Sequence, residues 1–161
     1  MSSLYFHPEE IFAMAQEIER KGAQFYRRVA EKATLADMRE FLLELAAMED
    51  DHEKTFAAMQ QGLPVEQGQE APRDEEAALY LRAWADGHVF GPTSGPVHQL
   101  TGKETREEIL RIAIGLEKDS IAFYAGIREA IPQEWGKEKI DGIIKEEMSH
   151  IRLLSERLAA R

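Results

Sequence analysis

The chain repeats itself. Ala15-Gln16-Glu17-Ile18-Glu19, followed by Phe25-Tyr26, matches Ala113-Ile114-Gly115-Leu116-Glu117, followed by Phe123-Tyr124, at an offset of 98 residues. Glu49-Asp50-Asp51-His52 matches Glu147-Met148-Ser149-His150 at the same offset, so each half carries one Glu and, 30 residues later, an E-x-x-H. These residues lie on apolar seams of helical period. Phe12, Ala15, Glu19 and Tyr26 share one face, as do Leu110, Ala113, Glu117 and Tyr124. The E-x-x-H segments read Met38, Leu42, Leu45, Glu49, His52, Phe56, Met59 and Ile140, Ile143, Glu147, His150, Leu154. Seams of this kind bury only against other helices, and no segment alternates with a period of two. The fold class is therefore all-α: a four-helix bundle built from two duplicated hairpins.

Proline and glycine divide the chain into a single domain over 1–161. Pro8 suits a first helical position, and the first helix continues to about Lys32. Thr34 followed by Asp37 predicts a capped start for a second helix from about Leu35 to Gln61, where Gly62-Leu63-Pro64 stops it. Hairpin 1 thus covers about 8–61. Residues 62–103 hold most of the glycine and proline and predict a crossover with one short helix, Asp74 to Asp86, around Leu79, Leu81 and Trp84. Hairpin 2, about 104–160, begins near Lys103 to Arg106 with Thr101 or Thr105 as N-cap. Its first helix ends at Pro132 and its second runs from about Gln133 to Ala160, with Gly136 and Gly142 weakening the first turns.

Thr34 lies halfway between Glu19 and Glu49, and Pro132 halfway between Glu117 and Glu147. In an antiparallel pair, residues equidistant from the turn sit at one height, so both carboxylates of each hairpin are level. If a twofold axis runs perpendicular to the bundle, the second and third long helices run parallel. The crossover then has to return the length of the bundle, about 40 Å at 1.5 Å per residue.

Four Glu and two His converging in an apolar core need compensation, because even one buried, unpaired carboxylate costs several kcal/mol. Nothing cationic shares these seams. Two divalent ions would balance four carboxylates with both imidazoles neutral. With no cysteine in the chain, zinc fingers, iron–sulfur clusters and thiol catalysis are excluded, so a metal has only His, Asp and Glu. That donor set suits iron and manganese, and zinc would bind if offered. A formal charge of −10 argues against nucleic acid. No apolar stretch is long enough to span a membrane, and the first eight residues lack a signal-peptide pattern, so a cytoplasmic location is expected.

The six residues Glu19, Glu49, His52, Glu117, Glu147 and His150, in this order and spacing, resemble the ferritin-like superfamily and, within it, the rubrerythrin-type di-iron carboxylate domain. The resemblance covers both hairpins and not the crossover. It implies two iron ions per chain, with Glu49 and Glu147 bridging both and Glu19 with His52, and Glu117 with His150, capping one each. It also implies reaction with oxygen or hydrogen peroxide (an oxidoreductase of peroxidase or ferroxidase type), an external electron donor, and a homodimer or larger assembly. The alternatives are an iron store or carrier, and a non-catalytic bundle that its metal stabilises. Two departures stand out: a chain without cysteine has no rubredoxin module, and Ser120 occupies the place of the extra carboxylate found one turn after the third-helix Glu in rubrerythrins. Its repeat mate is Gly22.

Other residues carry weaker signals. Tyr26 and Tyr124, two turns beyond Glu19 and Glu117, either hydrogen-bond a bridging carboxylate, shield the site, or serve as core tyrosines. Gly22 and Ser120 leave room beside the site or allow close helix packing. His7, His88 and His98 are expected at the surface. Glu66, Glu70, Asp74, Glu75 and Glu76 read as solvated surface with a helix-start preference. Phe6, Phe90 and Trp84 are candidate interface anchors.

Overall fold

Local chemistry sets the ends of the helices. In a computed structural model describing residues 7–63, 74–87 and 95–160, helix α1 spans Pro8–Glu31, with Glu9 and Glu10 at the positive end of its dipole. The Glu10 carboxylate accepts the His7 backbone N–H at 2.9 Å. Helix α2 spans Ala36–Gln61 and starts one residue later than expected. Leu35 is its N-cap and offers no side-chain hydrogen bond, so Thr34 and Asp37 do not form the anticipated cap. Gly62 closes α2 by donating its N–H to the Ala58 carbonyl at 3.0 Å.

Helix α3 (Glu75–Gly87) is capped by Asp74, whose carboxylate accepts the N–H groups of Glu76 and Ala77 at 3.0 and 3.3 Å. Ala77, Ala78 and Leu81 face inward, whereas Leu79 points to solvent. Of the two candidate threonines, Thr105 caps α4 (Arg106–Ala130). Its hydroxyl accepts the Glu108 N–H at 3.1 Å, and Glu108 returns a carboxylate to the Thr105 N–H at 2.8 Å. The segment after Pro132 departs from a single helix. Gln133–Trp135 forms a 3-10 turn, Gly136 turns left-handed at φ 99°, and α5 then runs Lys137–Ala159. A side chain at Gly136 would be strained, whereas Gly142 remains inside α5. Among the described residues there is no strand, and no helix is long and apolar enough to cross a membrane.

Two apolar clusters fill the bundle, one at each end. The first joins Ile11 and Phe12 from the start of α1, Phe56 and Met59 from the end of α2, Ile127 from the end of α4 and Ile140 from the start of α5. The second joins Phe25 and Val29, Met38 and Leu42, Leu110, and Leu154 from the opposite ends of the same helices. Helices α2 and α4 therefore run parallel, as a twofold axis perpendicular to the bundle requires, and each is antiparallel to its hairpin partner. The crossover returns along the bundle: Ala77 and Leu81 of α3 belong to the first cluster, while Val97 and Leu100 pack against the second. At about 1.5–3 kcal/mol for each large side chain fully buried, these clusters supply the stability that lets polar residues occupy the layer between them.

Close approach of α3 to α4 depends on Gly126. A Cβ there would lie 2.4 Å from Tyr80 Cε1 and 3.3 Å from Leu81 Cδ2. Overpacking costs about 1–3 kcal/mol, and the better helix propensity of alanine returns about 1 kcal/mol. Gly126→Ala should therefore destabilise the protein by about 1 kcal/mol, read as a lower urea midpoint at unchanged slope. An unchanged or higher midpoint would show that α3 does not rest on this glycine.

Candidate metal centre

Between the two apolar clusters lies a polar layer of Glu19, Glu49, His52, Glu117, Glu147 and His150, every one of them at most 4% exposed. The sequence places them there for a simple reason. Each E-x-x-H puts its Glu and His one turn apart on the same helix face, and each hairpin brings the first-helix Glu to the same height. Glu19, Glu49, His52 and Glu147 form one group, and Glu49, Glu117, Glu147 and His150 a second, with the ligand atoms in each within 4.8 Å of one another. Glu49 and Glu147 belong to both. All six residues singled out in the sequence are thus brought together. The imidazoles stack across the layer, with ring centroids 5.7 Å apart and planes inclined by 19°.

Both histidines point Nδ1 inward. His52 Nδ1 lies 2.8 Å from Glu147 Oε1 and 3.5 Å from Glu19 Oε2, and His150 Nδ1 lies 3.2 to 3.4 Å from oxygens of Glu49, Glu147 and Glu117. The separations are short, yet no hydrogen bond of good geometry satisfies these nitrogens. Glu19 Oε2, Glu49 Oε1, both Glu147 oxygens and the two Nδ1 atoms are buried without a hydrogen-bond partner. Orphaned buried polar atoms are rare and costly, and six converging on one layer fit bound metal rather than a protein-only network.

Without metal, protons take part of that role. Burial, followed by the charge of Glu49, holds Glu19 well above the usual carboxylate range. Burial and a shared proton with Glu147 push Glu117 up to about 8. Glu147 moves the other way: burial and Glu49 raise it, but the close approach of Glu117 and of both histidines outweighs them and lowers it. Burial disfavours the imidazolium ions, yet the surrounding carboxylates raise His52 to about 9 and His150 to about 12.

Two tyrosines tie the hairpins together. The Tyr26 hydroxyl of α1 donates to Glu117 Oε1 of α4, and the Tyr124 hydroxyl of α4 donates to Glu19 Oε1 of α1. They therefore hold the carboxylates of α1 and α4, not the shared Glu49 and Glu147. The helical spacing shows each tyrosine above its own Glu; only the crossing of α1 and α4 reveals that it serves the other. Gly22 makes room for Glu49, whose Oε2 would lie 3.2 Å from a Cβ at that position. Ser120 does not reach the centre with its hydroxyl, which donates to the Leu116 carbonyl at 3.1 Å.

The outer edges of the histidines meet two residues that the motif search passes over. His52 Nε2 pairs with the Glu146 carboxylate, and His150 Nε2 lies 3.1 Å from Met48 Sδ. Both residues immediately precede an E-x-x-H Glu, and they are repeat mates at the same 98-residue offset, which is the signal that identifies them. His7 and His98 are exposed, as expected, and Asp74, Glu75 and Glu76 are solvated. Trp84 packs within the chain, its ring 5.3 Å from that of Phe123. Phe6, Glu66, Glu70, His88 and Phe90 lie outside the described residues.

With this geometry in place, likeness to known proteins can be weighed. A family model described as Rubrerythrin matches residues 10–85, covering nearly all of hairpin 1 and most of α3. A crystal structure from Thermotoga maritima, assigned to the ferritin-like diiron-carboxylate proteins, superposes with a TM-score of 0.69 at 26% identity, over 96% of this chain and 95% of that one. No curated protein sequence matches significantly. The fold is that of the ferritin-like proteins, and residues 10–85 are similar to the Rubrerythrin family.

Proposed function

We propose that the polar layer binds two iron ions and that the protein reacts ferrous iron with oxygen or hydrogen peroxide. The observation that carries this reading is the pair of overlapping Glu/His groups sharing Glu49 and Glu147, with six buried donor atoms unpartnered. Glu19 and His52 would hold one ion, Glu117 and His150 the other, and Glu49 and Glu147 both. Four carboxylates then balance two divalent cations with both imidazoles neutral. Iron bound there would supply the redox chemistry, with electrons from an external donor.

The chain's own residues prepare the site. Tyr26 and Tyr124 fix the carboxylates of Glu117 and Glu19 from the opposite hairpin, and Glu19 keeps its Oε2 beside His52 Nδ1 at 3.5 Å. Phe56 and Tyr124 close one side, their rings 5.0 Å apart, and Leu42 and Leu45 belong to the cluster on the other, so bulk water is excluded along the bundle axis. Access is lateral instead: a groove between α2 and α5, lined by Met48, His52, Thr55, Ile143, Glu146 and His150, opens onto the imidazoles.

Anaerobically purified protein loaded with ferrous iron should contain two irons per chain and give a rapid absorbance change when mixed with peroxide or oxygen in a stopped-flow instrument. Repeated cycles with an added reductant separate turnover from mere loading. Two bound irons that react with neither oxidant would remove the catalytic part of the proposal, and failure to retain any metal would remove all of it.

A further inference from the structure

The six ligands are related by the 98-residue repeat, but what stands behind the two histidines is not symmetric. His52 Nε2 faces a carboxylate, that of Glu146, while His150 Nε2 faces the thioether of Met48 at 3.1 Å. Glu146 and Met48 occupy equivalent positions in the repeat, so the duplication itself supplies an internal control. The two histidines are alike in three other respects: Nδ1 points inward on both rings, each ring is at most 3% exposed, and a tyrosine from the opposite hairpin holds each non-shared carboxylate.

We infer that Glu146, set against Met48 at the mirrored position, makes the metal site of Glu19 and His52 the tighter of two inequivalent sites. This rests on the di-metal reading above. When a histidine binds metal through Nδ1, its Nε2–H must donate outward, and the acceptor it finds controls how much electron density the ring gives the metal. A carboxylate is a strong, charged acceptor that raises the basicity of the ring, whereas a thioether is weak and neutral. Glu146 also places a negative charge behind the first metal position, with none at Met48 behind the second. Both effects favour a cation at the His52 position. Losing a hydrogen-bonding partner behind a metal-bound imidazole typically costs about 10- to 100-fold in affinity, so a difference of that order is expected between the sites.

Neither residue is part of the packed core. The Glu146 side chain is 64% exposed and Met48 is 41% exposed, both on the walls of the groove between α2 and α5, so each can be exchanged for the other without remaking the bundle. Glu146→Met gives both histidines a thioether, and Met48→Glu gives both a carboxylate. Glu146→Gln keeps a neutral acceptor and removes the charge, which separates the two contributions.

The test is an anaerobic titration of metal-free protein with cobalt(II), followed by its visible absorption, with circular dichroism confirming helix content. The intact protein should bind in two steps about 10- to 100-fold apart. Glu146→Met should weaken the tighter step until the two merge. Met48→Glu should merge them in the opposite direction, by tightening the weaker step, a gain that damage to the fold cannot imitate. Glu146→Gln should fall between the intact protein and Glu146→Met. Two cobalt ions binding with a separation that neither exchange alters would overturn the inference and leave the di-metal centre standing. Equal weakening of both steps by Glu146→Met would also overturn it, because the effect would not belong to one site. No cobalt binding at all to the intact protein would instead bring down the di-metal reading and this inference with it.

Discussion

Glu49→Ala should strip the protein of both metals together, whereas Glu19→Ala should weaken one site far more than the other. The difference follows from membership. Glu49 lies in both groups of converging donor atoms, and Glu19 in one. Partners behind a ligand are already worth about 10- to 100-fold in metal affinity, so loss of a direct, shared carboxylate should exceed about 100-fold at both positions. Charge adds to this, since removing one of four carboxylates leaves two divalent ions undercompensated in a layer that bulk water does not reach. Metal content measured after desalting should fall from two per chain to near zero in Glu49→Ala. In Glu19→Ala it should approach one, with the Tyr124 hydroxyl losing its acceptor. A Glu49→Ala protein that retains one tightly bound metal would show that Glu49 does not bridge.

The second large effect is on stability and its pH dependence. In the metal-free protein, Glu117 is pushed up to about 8, Glu19 lies well above its ordinary range, and His52 and His150 rise to about 9 and 12. A group whose pKa rises on folding binds its proton more tightly in the native state. The carboxyl contributions are therefore complete below the ordinary carboxylate range, and that of Glu117 is lost as pH climbs through about 8. The histidine contributions are complete below about 6.5, and that of His52 is lost as pH climbs through about 9. Glu147, with a lowered pKa, works oppositely and loses its contribution only in acid. Metal-free protein should thus melt at progressively lower temperature from about pH 5 to pH 9.

Metal reverses the trend, because it binds deprotonated carboxylates and neutral imidazoles. Binding to the folded state alone adds about 4 kcal/mol at a thousandfold excess over the dissociation constant. For a domain of this size that is on the order of 10 °C in Tm, and the gap between loaded and metal-free protein should widen from pH 5 to pH 8. Glu19→Gln with Glu117→Gln should raise the metal-free Tm at pH 8 and abolish most of the response to metal. Both amides can still accept from Tyr124 and Tyr26, so the tyrosine contacts survive the exchange. Superimposable melting curves with and without ferrous, manganese or zinc ions at pH 7 would exclude the metal centre.

Much of this was legible in the sequence because it follows from spacing. Helical period fixes which side chains share a face, so the seams through Glu19, Glu49, Glu117 and Glu147 and the two E-x-x-H histidines could be read directly. Equal distances from Thr34 and Pro132 set their common height, and a twofold axis perpendicular to the bundle, if present, implied that α2 and α4 run parallel. These are properties of one helix or one hairpin, which depend on neighbours along the chain. Local detail was less faithful where competing caps were close in energy. The start of α2 shifted to Ala36, and Gly136 took a left-handed turn that divides what periodicity joined.

What tertiary structure alone decided is which residue of one hairpin meets which residue of the other. Tyr26 stands above Glu19 in the sequence but donates to Glu117, because the axis relating the hairpins passes between α1 and α4. Glu146 and Met48 look like ordinary groove residues until the register of α2 against α5 sets them behind His52 and His150. Even the direction of a carboxyl's pKa was settled this way, Glu147 being lowered by the approach of Glu117 and both histidines. Contacts of this kind depend on rotation and displacement between helices, to which helical period is blind. The chain's sequence determined the six side chains and their level; the packing of one hairpin on the other determined their proton partners, their shared members and the inequality of the two histidines.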